Sequence, residues 1–182
     1  MNRFQTNLLA AATGVLLVCS ASGFATTTRG DYDAVKTRAD TDYKTASDTC
    51  KSLSGNPKDV CVAEAKAARV KATAMAEADY KNTPKARASA KNDIASADYD
   101  LAKQRCDAKT GNDKDVCVKE AKAAQVKAKA DAKATEKTTI ARNDAASDKR
   151  DANYKVALEK CDALAGAAKD TCQADAKSTF GK

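Results

Sequence analysis

The sequence predicts an all-α fold, an elongated array of three αα-hairpins, each clamped by a disulfide. Three observations carry the prediction. Of 182 residues, 41 are Ala, 31% are charged and 4% are aromatic; Ala, Lys and Glu favour helix, whereas strands draw on β-branched and aromatic side chains. Cysteine pairs recur at a fixed period. A glycine stands midway between the cysteines of each pair, with polar, cap-forming residues beside it in the first two, the punctuation of a helix reversal.

Residues 1–25 read as a secretory signal, with Arg3 as the positive start, an apolar run from Leu8 to Val18 and small residues towards Ala25. Eleven apolar residues are too few to span a bilayer. A cut after Ala25 puts Gly23 and Ala25 at the small-residue positions. The rivals are lipid anchoring at Cys19, against which stands the branched Val18, and an uncleaved anchor. Cleavage leaves no transmembrane anchor and removes one charge, Arg3, so the mature chain carries 31 basic and 25 acidic side chains, a net +6. It also leaves six of seven cysteines, an even number in an exported chain and hence a disulfide framework in an oxidising periplasm.

Those six fall at Cys50 and Cys61, Cys106 and Cys117, Cys161 and Cys172. Each pair is eleven apart, and successive pairs begin 56 and then 55 residues later. Tyr43, Tyr99 and Tyr154 stand seven before the first cysteine, Gly55, Gly111 and Gly166 five after it, and Asp59, Asp115 and Asp170 two before the second. Three copies of one unit follow, at 26–82, 83–138 and a shortened 139–182.

Within the first unit Gly55 suits the left-handed residue that ends a helix, Asn56 the next N-cap and Pro57 the first turn. The second repeats this with Gly111, Asn112 and Asp113. The third has Ala167 where a cap is wanted, which predicts the weakest turn. At ~1.5 Å per residue both cysteines of a pair lie about 7.5 Å from the turn on opposing helices, close enough to bond within each hairpin. Such a staple adds about 3 kcal/mol on the chain-entropy estimate.

Help of that kind is needed, because only 16 of the 157 residues after the signal are Ile, Leu, Val, Met or Phe. Alanine supplies the apolar faces instead. Tyr32, Val35, Ala39, Tyr43, Ala46 and Cys50 line one side of a helix, as do Cys117, Ala121, Ala124, Ala128, Ala132 and Thr135. Lys81-Asn82-Thr83-Pro84 predicts a break. The later joint has Thr138 and Thr139, with no Pro or Gly anywhere from 112 to 165, so one helix of up to ~80 Å fits there.

The absence of His excludes His-based general-base chemistry, Ser-His and Cys-His pairs and nearly all catalytic zinc sites. Cysteines eleven apart suit neither metal ligation nor a thioredoxin-type redox pair, and no phosphate-binding glycine loop or serine elbow occurs. The sequence therefore predicts no enzyme, no cofactor and no metal. Residues 58–91 and 114–142 each carry a net +4, and Lys122, Lys129, Lys133 and Lys137 form a candidate anion-binding stripe. Nucleic acid is not expected, since no stacking aromatics accompany the lysines. The tyrosines read as packing anchors.

The segments YDLAKQRCDAKTGNDKDVCVKEAKA, from Tyr99 to Ala123, and YKVALEKCDALAGAAKDTCQADAK, from Tyr154, resemble a group of small exported Gram-negative proteins of unassigned role. Many of these carry a label taken from the cell-envelope protein TolA, whose Ala/Lys/Glu-rich helical segment spans the periplasm. Paired cysteines, a cleavable signal and the lack of a C-terminal globular domain set this chain apart from TolA itself, so the resemblance transfers no functional residues. It implies a non-enzymatic periplasmic or cell-envelope scaffold, with another envelope protein or an anionic envelope surface as partner. The alternative is a module that binds lipopolysaccharide or an acidic polymer through its lysines.

Overall fold

The computed structural model describes residues 27–182; the signal segment and Cys19 lie outside the described residues. Five helices follow in order: α1 Arg29–Cys50, α2 Gly55–Lys81, α3 Pro84–Cys106, α4 Gly111–Cys161 and α5 Gly166–Phe180. The array is all-α, with no strand among the described residues.

Two helix starts, those of α1 and α3, are capped by a side chain. Thr28 caps α1 in a capping box: its hydroxyl accepts from the Asp31 amide at 3.2 Å, while Asp31 accepts from the Thr28 amide at 2.9 Å. α2 stops at Lys81 because Asn82 turns left-handed at φ 45° and Thr83 caps the next helix, accepting from the Ala86 amide with Pro84 in its first turn. No such break occurs at 138–139, and α4 runs unbroken for 51 residues, about 77 Å at ~1.5 Å per residue.

Each helix packs only against its neighbours in the chain: α1 on α2, α2 on α3, α3 on α4, and α4 on α5. The boundary expected at 82/83 is thus a second kind of hairpin, without a cysteine, that stacks the first two units on each other. The boundary expected at 138/139 falls inside α4, which carries the third hairpin away from them.

Alanine is the core. Ala74, Ala78 and Ala90 form a buried cluster with Ile94 packed against it, and the largest fully buried side chains are Cys50, Cys106 and Cys161. Small side chains let helices approach closely but remove little apolar area from water, so covalent clamps and helix propensity carry more of the stability than in an ordinary core.

Candidate functional site

The sequence singles out clamps, tyrosines and lysines. All three clamps form as predicted, Cys50 to Cys61, Cys106 to Cys117 and Cys161 to Cys172, each with Cα atoms 5.7 Å apart. The first cysteine of each pair is the last residue of its helix, and the second lies six residues into the next. Each bond therefore clamps the two arms of a helix reversal beside its turn.

The turn itself differs from expectation in two ways. Gly55, Gly111 and Gly166 are left-handed, at φ 59°, 54° and 56°, but each opens the following helix; the preceding helix has already ended at the cysteine. Asn56 is not a cap: its amide nitrogen donates to the Gln104 carbonyl of α3 at 2.6 Å. The residues preceding the three helices, Ser54, Thr110 and Ala165, make no side-chain cap bond at all. The third turn is thus no poorer in caps than the others. Ion pairs across the second and third turns, Lys114 to Asp107 and Lys169 to Asp162, both 2.9 Å, brace them alike.

The tyrosines sit between helices. Arg69 of α2 lies over the Tyr43 ring of α1 at 4.6 Å and reaches Asp40 at 3.4 Å. Lys122 of α4 lies over the Tyr99 ring of α3 at 5.1 Å, and Tyr154 packs against Phe180 at 6.2 Å. Each ring is half-buried against the partner arm of its own hairpin.

The lysine stripe divides. Lys122 donates to Gln125 at 2.8 Å besides covering Tyr99, and Lys129 is half-buried, whereas Lys133 and Lys137 are exposed. Charge shifts are confined to the surface. Thr28 holds the Asp31 carboxyl below its ordinary value by hydrogen bonding, and Lys182 does the same for Asp151. Glu77 raises Lys81 by hydrogen bonding.

One feature escaped the sequence reading, an open groove of about 730 Å³ between α2 and α3. Its floor is alanine, including Ala67, Ala74 and Ala97, and its rim alternates Lys58, Glu77, Asp93 and Lys103. Mixed signs on a shallow floor offer no convergent charge for catalysis. The signal that marks it is the second alanine stripe on α2, which sequence periodicity merges with the first.

Among the described residues no group of three or more Cys, Asp or Glu is placed to hold a metal ion, and no helix is long and apolar enough to cross a membrane. Comparison with family models, curated proteins and solved structures finds no match to this chain.

Proposed function

We propose that the protein is a non-enzymatic structural or scaffold component of the periplasm or cell envelope, working without cofactor or nucleic acid. The observation that carries this reading is the placement of a disulfide beside the turn of each hairpin in an array whose core is otherwise alanine. Disulfides persist in oxidising compartments. The likeness of the cysteine hairpins to exported proteins labelled after TolA points the same way.

Fractionation of cells expressing the full chain, followed by intact mass after thiol alkylation, tests it. The expected product is periplasmic, lacks residues 1–25 and carries no alkylated cysteine until reduced. A cytoplasmic product with free thiols would sink the reading.

Lys133 and Lys137, exposed along α4, favour a second reading as a binder of anionic envelope material. Co-sedimentation with anionic vesicles that disappears as salt rises would favour it over the scaffold.

A further inference from the structure

The repeat maps α4 onto two helices at once. Counted from the clamps, residues 111–137 stand 56 after α2, and residues 139–161 stand 55 after α3. In the first repeat the chain turns at Asn82-Thr83 and α3 folds back on α2, burying Ala67, Ala74 and Ala78 on one side and Ala90 and Ala97 on the other. The joint in α4 is one residue shorter and keeps helical geometry, so its two halves point away from each other and cannot meet within one chain.

All five alanines nonetheless have alanine counterparts in α4: Ala123, Ala130 and Ala134 in the first half, Ala145 and Ala152 in the second. All five are exposed. Beside them Val126 and Val156, the counterparts of half-buried Val70 and Leu101, are 56% and 54% exposed. A different stripe provides the contrast. Ala88 and Ala95 are buried on the stripe of α3 that faces α4, but their counterparts, beyond the end of α5 where Lys182 pairs with Asp151, are Asn143 and Arg150. Where α4 has lost its cover for good the sequence has turned polar; on the face equivalent to the α2–α3 contact all five alanines are kept, although Ile94, packed against that contact, gives way to Lys149.

We propose that this face binds a second copy of the chain, two α4 helices packing antiparallel about a two-fold axis near residues 139–140. Residues 111–137 of one copy receive residues 139–161 of the other as α2 receives α3, and symmetry forms the contact twice. One of the two α2–α3 ion pairs follows the same register, the other, Asp79 with Arg87, mapping to Thr135 and Arg142. Arg105 of α3 pairs with Glu64 of α2 at 2.8 Å, and their counterparts are Lys160 and Glu120. Asn56, which ties α2 to the α3 backbone, has its counterpart in Asn112. The approach is open: with ~3.6 residues per turn, the five alanines lie opposite Gln125 and Ala132, buried on the α3 side, and opposite Tyr154 and Cys161 on the α5 side.

Sedimentation equilibrium of the exported, disulfide-bonded chain tests the proposal, with twice the chain mass expected. Ala134→Arg is expected to give the single-chain mass with unchanged helix content by circular dichroism, because position 134 is exposed in one chain. Replacing Thr138-Thr139 by Asn-Thr-Pro is expected to give a single chain of smaller radius of gyration, the halves of α4 closing on each other. Glu120→Lys is expected to weaken association roughly tenfold and a further Lys160→Glu to restore it. Because 40 residues of helix, about 60 Å, separate the two positions in one chain, such rescue acts only between copies. A single-chain mass at about 100 μM, a dimer indifferent to Ala134→Arg, or no rescue by the charge exchange would overturn the proposal.

Discussion

Three glycines set the geometry of the turns, and their effect is separable from packing. An added Cβ at Gly111 meets nothing within 4 Å, so Gly111→Ala is opposed only by the left-handed backbone at φ 54°. The expected loss is about 1 kcal/mol in urea unfolding, with Gly111→Asn milder because Asn tolerates that region. Position 55 should respond alike. A second single-residue effect depends on pH. Hydrogen bonding to Thr28 lowers the Asp31 carboxyl, so its contribution to the capping box is complete above the ordinary carboxylate value and is lost as pH falls through the depressed one. Amide protection at residues 28–32, relative to the intrinsic exchange rate at each pH, is expected to fall selectively in acid, and Asp31→Asn to abolish that dependence. The glycines, the cysteines and Pro84 were legible in the sequence because each acts through its own backbone or bond. Asn56 was not: its partner is 48 residues away on a helix that the turn pattern says nothing about.

Helices differ in how far they depend on their clamps. α5 has 15 residues, touches only α4 and has Ala176 as its one buried residue. A helix of that length is marginal in water. Cys161→Ser with Cys172→Ser is therefore expected to unfold α5 locally, read as loss of amide protection over 166–180 while α2 and α3 keep theirs. The same pair of changes at Cys106 and Cys117 should cost about 3 kcal/mol without melting either arm, since α3 is also held by α2. The five-helix order was foreseeable from Pro84 and from the turn-free run through 138–139. Whether successive hairpins stack was not, and α2 shows why: Ala65 and Ala76 lie on the side of Arg69 that meets α1, Ala67, Ala74 and Ala78 on the side that meets α3. With alanine on both faces, no single hydrophobic period marks a second interface.

Contacts that run only between consecutive helices make the molecule behave as a linear array rather than around one shared core. Stability then resides in each hairpin and each junction, and damage should stay near its source. Ala74 is buried at the α2–α3 junction, in the cluster with Ala78, Ala90 and Ile94, and so tests this directly. Ala74→Arg overfills that contact and is expected to cost about 1 to 3 kcal/mol in the protection of α2 and α3. The protection of α5, which shares no contact with α2 or α3, is expected to move by less than about 0.5 kcal/mol. Hydrogen exchange resolved by helix measures both in one experiment. A uniform fall across all five helices would mean that α4 transmits the strain along its whole length, and that the chain unfolds as one cooperative unit despite its serial contacts.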